Sequence, residues 1–389
     1  VTVSVLYWQP RMVSYVALSA PLPDRKHTVL GCAPSAGLYL TPTSAADVVA
    51  LLHEAARSGI TKLDTAPLYG CGRSELDIGR AFAAAPELMK HVTIATKVGR
   101  RCEEEAGPLV KALDADASGK WRVERDSKYY ARDRDTGHLV CVADYTPAGL
   151  VESVRQSQSR LAAAGSGTAA AAIDELRVHD VESDEKFRMI TADDGAAVAT
   201  LAAMKRGKVP RSIRVKRIGL GMNDPAAILR MLRRFPGAFD SVLMAGAWNL
   251  MELGGYDVLK YCEAHGIEVH IAGVFGAGLL WGGDNYRYSR ADAGQVARRD
   301  KIAALCRKHR VSLPWLAVHF ATRPKCVRRL VFGCRTAAEL RQCVRLLDVR
   351  EPAATVEALY ADLHAAGLLP KYTYTTVSAA APRPPSSKL

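Results

Sequence analysis

The chain has 389 residues, 49% of them hydrophobic, which is enough to bury one large core. No apolar run approaches the roughly 20 residues of a membrane-spanning helix, so the sequence predicts no membrane partner. A formal net charge of +13 raises the question of a nucleic-acid partner. The densest basic run, residues 205–217, has no aromatic residue on which a base can stack, so we expect a solvated surface loop and no nucleic acid.

Apolar runs of strand length alternate with segments of helical periodicity from residue 28 to residue 347, the pattern of repeated β/α units around a parallel sheet. The eight predicted strands are residues 27–32, 61–65, 92–97, 173–179, 217–221, 240–244, 268–273 and 329–333. The predicted helices are residues 44–57, with Ser44 as the N-cap, then 74–84, 147–163, 191–206, 224–234, 256–265, 294–309, 314–321 and 336–347. Eight strands close a barrel, so the predicted fold class is an α/β, (β/α)8 TIM barrel that forms a single domain.

Three segments lie outside this repeat. Residues 1–26 show no clear hydrophobic region and cleavage site of a signal peptide, and are predicted to be an N-terminal extension. Residues 100–145 are predicted to be a long, charged loop inserted after the third strand, either a lid over the active-site face or an inert insertion. The barrel domain is predicted to span residues 27–366, and residues 367–389 form a C-terminal tail.

The tail ends in Ser387, Lys388 and Leu389, a tripeptide that the peroxisomal import receptor reads at a free C-terminus. The Pro-rich sequence before it extends the chain away from the domain, as an accessible signal requires. The sequence therefore predicts this receptor as a partner and a peroxisome or glycosome as the location. If the ending arose by chance, the location is cytoplasmic.

Nine cysteines are scattered along the chain without a Cys-x-x-Cys pair or another metal-ligand spacing. Such an odd, scattered set is typical of reduced thiols in an intracellular compartment, and no metal site is expected. Cys71 is interpreted as a small turn residue in preference to a reactive thiol.

Polar residues mark the ends of three successive predicted strands. Asp64 is at the end of the second strand, Lys97 at the end of the third and His179 at the end of the fourth, while Tyr69 follows Asp64 in a Gly-flanked turn. The carboxyl ends of parallel barrel strands converge on one face, where active sites lie. We therefore expect these four side chains to meet in one site.

Together the four residues resemble the catalytic tetrad of the aldo-keto reductases. Further segments extend the resemblance, in the family's order, from about residue 26 to residue 348: residues 30–34, 59–65, 74–79, 219–223 and 331–333. Within the family the chain is similar to the sugar 1-dehydrogenase branch, which holds L-galactose, L-fucose and D-arabinose (D-threo-aldose) dehydrogenases together with pyridoxal 4-dehydrogenases. The segments that carry this narrower resemblance are residues 66–75, 96–100, 244–246 and 273–280.

The resemblance implies an NAD(P)-dependent oxidoreductase that oxidises an aldose at C1 to the aldonolactone. Tyr69 would be the acid/base, and the nearby ammonium of Lys97 would lower its pKa from about 10. Asp64 would hold Lys97 in place, and His179 would orient the substrate oxygen. The alternatives are an aldehyde or ketone reductase, a pyridoxal dehydrogenase, and, in another class, a nucleotide-sensing protein like the potassium-channel β subunits.

The resemblance also implies which residues hold the dinucleotide. Asn223 would bind the carboxamide, although Met222 replaces the serine that usually accompanies it, and Arg335 could hold a 2′-phosphate that Glu339 would repel. NADP or NAD therefore remains open. The backbone of one loop and the start of the last barrel helix would meet the phosphates: Phe275, Gly276, Ala277, Gly278, Leu279 and Gly333. The chain lacks a Gly-x-Gly-x-x-Gly after its first strand, which argues against a Rossmann domain.

Overall fold

A computed structural model gives the fold of residues 24–38, 41–125, 136–162, 173–209, 213, 215–287 and 289–370. Most of the predicted N-terminal extension lies outside these residues, and so does the chain from residue 371, including Ser387, Lys388 and Leu389. Within the described part of the chain, no helix is both long enough and apolar enough to span a membrane.

Eight parallel strands close into a barrel, which confirms the predicted fold class. They are β1 (Thr28–Gly31), β2 (Lys62–Asp64), β3 (Thr93–Val98), β4 (Ile173–His179), β5 (Arg217–Met222), β6 (Ser241–Ala245), β7 (Glu268–Ala272) and β8 (Val327–Gly333). Each strand pairs with the next, and β1 closes the ring by pairing with β8, so that Gly31 is opposite Gly333. The predicted strand ends differ from the observed ones by at most two residues.

Successive side chains on a barrel strand point alternately towards the helices and into the barrel interior, so the two sides of the sheet have different surroundings. On β4, Leu176 and Val178 belong to the large apolar cluster between the sheet and the helices. Glu175, Arg177 and His179 alternate with them and face the barrel interior, where Glu175 and Arg177 are completely buried. Charged side chains therefore face the barrel interior on β4, whereas the layer between the sheet and the helices is apolar.

The barrel helices lie outside the sheet and follow the predicted order. The helices are Ala45–Arg57, Arg73–Ala84, Pro147–Leu161, Asp184–Lys205, Pro225–Arg234, Tyr256–His265, Ala293–Lys308, Leu313–Thr322, Ala337–Asp348 and Ala353–Ala365. The predicted N-cap is confirmed, because the Ser44 side chain accepts a hydrogen bond from the Asp47 amide.

Two helices differ from their predictions. The helix predicted from residue 191 begins at Asp184, capped by Ser183, and its backbone departs from helical geometry over residues 192–195. The helix Ala353–Ala365 was not predicted. It follows Pro352 and packs an apolar stripe, which includes Leu359 and Leu363, on the core.

The insertion after β3 is folded, so the prediction of a long loop was wrong. It contains an antiparallel sheet with Leu139–Asp144 between Arg100–Glu104 and Trp121–Glu124, and a helix over Pro108–Asp114. A separate small core holds the sheet and the helix together, and its buried members are Val110, Leu113, Val140 and Val142. Residues 126–135 of the insertion lie outside the described residues.

Candidate active site

The four predicted catalytic residues meet at one end of the barrel. Asp64 ends β2, Lys97 lies near the end of β3 and His179 ends β4, whereas Tyr69 lies in the turn that leads from β2 into the helix Arg73–Ala84. This is the end of the barrel at which all eight parallel strands finish, so strand position alone brings Asp64, Lys97 and His179 together.

Lys97 joins Asp64 and Tyr69. Its Nζ donates to Asp64 Oδ1 at 2.7 Å, to the carbonyl oxygen of Thr65 at 2.9 Å and to the Tyr69 hydroxyl at 2.8 Å. The Tyr69 ring lies edge-on to the His179 imidazole, with 5.8 Å between ring centroids. The phenol therefore contacts an ammonium whose own position is set by a carboxylate, in the arrangement expected from the sequence.

Arg177 completes this network and was missed by the sequence reasoning. Its guanidinium donates to Asp64 Oδ2, lies 3.1 Å from Glu175 Oε2 and is 2.7 Å from His270 Nδ1. It is completely buried. The signal that could have found it is the period of two on β4, which places Arg177 on the same face as His179.

A second group of missed residues holds the end of β4. The Arg100 guanidinium and the Tyr145 hydroxyl both donate to the His179 carbonyl oxygen at 3.0 Å. Arg100 also forms an ion pair with Glu124 of the insertion at 2.6 Å. Asp180, in a left-handed conformation with φ of 47°, places its carboxylate 3.6 Å from the His179 imidazole. The insertion thus positions the strand end that carries His179.

Burial sets the protonation of the site. It lowers the pKa of His179 well below its usual value, and the charges of Lys97 and Arg100 act in the same direction, so the imidazole is neutral at neutral pH. Burial also lowers the pKa of Lys97, against the attraction of Asp64 and together with the charge of Arg177. The Asp180 carboxyl has a pKa raised by burial to about 6, although Arg100 opposes the shift.

A cavity of about 1690 Å³ opens at this end of the barrel. It exceeds the roughly 300–1,000 Å³ of common small-molecule pockets, so it has room for a dinucleotide beside a small substrate. Its lining contains all four predicted catalytic residues and most of the predicted cofactor residues: Asn223, Phe275, Gly276, Ala277, Gly278, Gly333, Arg335 and Glu339. The exception is Leu279, which is fully buried in the core.

The two predicted halves of the cofactor site are held differently. The backbone amide of Asn223 donates to the Glu182 carboxylate at 2.6 Å, so Glu182, another residue missed from the sequence, positions that turn. In the Phe275 loop, the amides of Gly276 and Gly278 donate to Gly273 and Phe275 within the loop. Those two amides are therefore used within the turn, and the phosphate contact expected of this loop stays a prediction.

Arg335 and Glu339 contact each other at the start of the helix Ala337–Asp348. The Glu339 carboxylate accepts from the Arg335 amide at 2.7 Å, and the Arg335 guanidinium donates to the Thr41 carbonyl oxygen at 2.9 Å. Glu339 therefore takes an amide at the helix N-terminus that an anion would otherwise use. The buried Nε of Arg335 has no hydrogen-bond partner among the described residues, so this donor fits an anionic ligand in the cavity.

The insertion forms one wall of the cavity, with Arg122, Arg125, Leu139 and Cys141 in its lining. Thr136 also donates to the carbonyl oxygen of Gly70 at 2.9 Å, next to Tyr69. These contacts argue against an inert insertion, and the role of the segment as a lid stays a prediction.

Comparison with known proteins gives the family. A sequence model of the Aldo/keto reductase family matches residues 29–361. The chain belongs to this family. It is 30% identical over 327 residues to D-threo-aldose 1-dehydrogenase from Pseudomonas sp, covering 82% of this chain and 88% of the relative. It is 29% identical over 326 residues to pyridoxal 4-dehydrogenase from Microbacterium luteolum, covering 81% of this chain and 87% of that protein. The resemblance inferred from the sequence is thereby confirmed.

Solved structures agree with the fold of this aldo/keto reductase. The glycerol dehydrogenase from Gluconobacter oxydans matches with a TM-score of 0.59 and 22% identity, covering 93% of this chain and 97% of that one. At that identity the likeness concerns the barrel alone. The chain is thus an oxidoreductase of the aldo/keto reductase family.

Proposed function

We propose that this enzyme oxidises an aldose at C1 to the aldonolactone with NAD(P)+ as the hydride acceptor. The observation that carries the proposal is the Lys97 ammonium, 2.8 Å from the Tyr69 hydroxyl and 2.7 Å from Asp64, in a cavity that His179 also lines. The similarity to D-threo-aldose 1-dehydrogenase supports an aldose as the substrate class.

Proton transfer is the step that these residues perform. A phenol with a pKa near 10 is a poor base at neutral pH. The adjacent ammonium stabilises its phenolate, by about 4 kcal/mol for unit charges 4 Å apart at an effective dielectric constant of about 20. The Tyr69 phenolate takes the proton of the C1 hydroxyl while the C1 hydride leaves for the acceptor, and the C1–O bond becomes the lactone carbonyl.

His179 orients the reacting oxygen. Its imidazole is neutral, and its buried Nδ1 has no hydrogen-bond partner among the described residues. A neutral ring has one donor and one acceptor nitrogen, so it can bind a hydroxyl or a carbonyl without adding charge. When bound, the nicotinamide supplies the hydride acceptor, and Asn223, Gly333 and Arg335 are the cavity residues that would hold its dinucleotide.

Pyridoxal is the second candidate substrate, because pyridoxal 4-dehydrogenase is almost as similar to this chain. The same proton transfer from a hemiacetal hydroxyl would serve it. Reduction of aldehydes is the reverse of this chemistry on the same four residues. A nucleotide-sensing role is disfavoured, because binding a nucleotide does not require an acid/base network, and Asp64, Tyr69 and Lys97 form a complete one.

A substrate panel tests the proposal. The purified enzyme is assayed with D-arabinose, L-fucose, L-galactose and pyridoxal, each with NAD+ and with NADP+, by the absorbance of the reduced nicotinamide. The Tyr69→Phe variant is the blank for contaminating activity. The highest kcat/KM with an aldose supports the proposal, the highest with pyridoxal replaces it by the second candidate, and no oxidation with any of the four overturns both.

Cofactor preference should depend on the contact between Arg335 and Glu339. If Arg335 holds a 2′-phosphate, Arg335→Ala should weaken NADP+ by about 1.5–3 kcal/mol, the range of a charge-assisted hydrogen bond, and NAD+ much less. Glu339→Arg should favour NADP+, whereas Glu339→Gln, which keeps an oxygen for the Arg335 amide, controls for loss of the cap. Fluorescence titration of both reduced cofactors measures the change. Equal losses for both would show that this helix does not recognise the ribose.

The location should depend on the last three residues. Deletion of residues 387–389, or a fluorescent protein fused after Leu389, should move the protein from peroxisome-type organelles to the cytosol without changing the activity of the purified enzyme. Fluorescence microscopy with an N-terminal tag on the intact chain is the reference. Import of the truncated protein would assign the signal to another segment.

A further inference from the structure

Three cysteines that are far apart in the sequence meet beside the active-site cavity. The sulfur atoms of Cys71, Cys102 and Cys141 all lie within 4.8 Å of one another, and those of Cys71 and Cys141 are 3.5 Å apart. Cys71 belongs to the turn after Tyr69, whereas Cys102 and Cys141 belong to the inserted sheet. The sequence spacing of the three cysteines did not predict this cluster, which forms only in the folded chain.

We propose that these three thiols form a binding site for a thiophilic d10 cation such as Zn2+, outside the groups that act on the substrate. Zn–S bonds of about 2.3 Å require sulfur atoms about 3.8–4.0 Å apart around the metal. The observed spacing brackets this value, so adjustments of about 1 Å or less would close the site. Binding breaks three S–H bonds and forms three Zn–S bonds, and three protons pass to the buffer.

Backbone pairing in the inserted sheet places two of the three cysteines side by side. Cys102 and Cys141 are directly opposite in the antiparallel sheet, and the Cys102 amide donates to the Gln156 side chain, not across the sheet. They therefore form a non-hydrogen-bonded pair, the type in which side chains approach most closely. Cys71 has φ of 52°, a left-handed conformation that a side chain makes costly.

The surroundings leave one coordination position accessible. Cys102 and Cys141 are buried, whereas Cys71 is partly exposed, and both Cys71 and Cys141 line the active-site cavity. Three protein ligands and one open position are typical of zinc sites that admit water or a small ligand. A metal here would tie the turn that follows Tyr69 to the insertion.

Titration with cadmium tests the site directly, with a readout that does not depend on turnover. The full-length enzyme is reduced, freed of metal with a chelator and titrated with Cd2+, and the ultraviolet thiolate-to-cadmium charge-transfer band is recorded. A chelating dye then competes for Zn2+. We expect one ion per chain, and a higher midpoint of thermal unfolding with Zn2+.

Matched variants make the result specific. Cys102→Ala and Cys141→Ala should each lower the affinity at least about 100-fold, because loss of even an outer partner of a metal ligand costs about 10- to 100-fold. Cys71→Gly should do the same in a folded protein, since glycine suits the left-handed conformation. Cys262→Ala removes an equally buried thiol far from the cluster and should bind as the parent does.

Three outcomes would overturn the proposal. The first is a parent protein that binds no stoichiometric Cd2+. The second is an ion that persists in all three cluster variants and is lost in Cys334→Ala, which would assign it to the Cys334 and Cys343 pair, whose sulfurs are 4.0 Å apart. The third is a protein that binds no Cd2+ and in which hydrogen peroxide oxidises two cluster thiols to a disulfide, with two waters formed, which would make the cluster a redox pair.

Discussion

Replacing Tyr69 by phenylalanine should lower kcat by about 10²- to 10⁴-fold, the contribution of a positioned acid/base, and leave the cofactor affinity nearly unchanged. The hydroxyl accepts a hydrogen bond from the Lys97 ammonium at 2.8 Å, and the loss removes one oxygen from the cavity without changing its shape. Steady-state kinetics measures the loss, and fluorescence titration of the reduced cofactor shows that the binding site is intact.

A second tyrosine provides the control for that substitution. Tyr261 lies on the helix Tyr256–His265, and its hydroxyl donates to the Leu232 carbonyl oxygen at 3.4 Å, outside the cavity. Tyr261→Phe should keep the parent turnover. If Tyr69→Phe stays within tenfold of the parent, Tyr69 is not the residue that exchanges the proton.

Replacing Arg177 by methionine should affect both stability and the pH profile. Its buried guanidinium contacts Asp64, Glu175 and His270, and removal of one member of a buried ion pair costs about 3 kcal/mol or more in the free energy of unfolding. In the parent, the positive charge of Arg177 lowers the pKa of Lys97. The variant removes that charge, so we expect the Lys97 pKa to rise. By the same reasoning the apparent pKa of Tyr69 should move to higher pH.

Two further variants separate positioning from stability. Arg177→Lys keeps a positive charge and should restore most of the pH profile of kcat/KM. The double variant Arg177→Met with Glu175→Gln removes one charge of each sign and should recover part of the stability while keeping the shifted profile. The recovery is partial because Glu175 also pairs with the buried Lys62 at 2.5 Å. A double variant with the parent profile would show that Arg177 contributes only to the fold. Chemical unfolding and pH-dependent kinetics provide the two measurements.

The barrel was predictable because its signal is local. Each of the eight strands is a short segment in which apolar residues form a run or alternate with polar ones, between turn signals. The polar residues at the ends of parallel strands lie on a common face of the barrel. Asp64, Lys97 and His179 could be placed by that argument alone. Arg177 alternates with the apolar Leu176 and Val178 in the same way. It was missed because it lies inside β4, whereas only polar residues at strand ends were selected.

Tertiary structure decided the features that depend on residues distant in sequence. The inserted sheet pairs Arg100–Glu104 with Leu139–Asp144, and no local pattern marks which strands will pair across such a separation. The hydrogen bond from the Arg335 amide to the Glu339 carboxylate likewise depends on the backbone conformation at the start of the helix.

The sequence by itself thus indicated the family, the eight strands and four candidate residues, three at strand ends and Tyr69 in the turn after β2, since hydrophobic periodicity and strand-end position are properties of short segments. Only the tertiary structure determined that Arg177 supports Asp64 inside the barrel, that the insertion forms a wall of the cavity, and that Cys71, Cys102 and Cys141 converge. The physical reason is that ion pairs and metal-ligand geometry act over a few ångströms in space, whatever the separation along the chain.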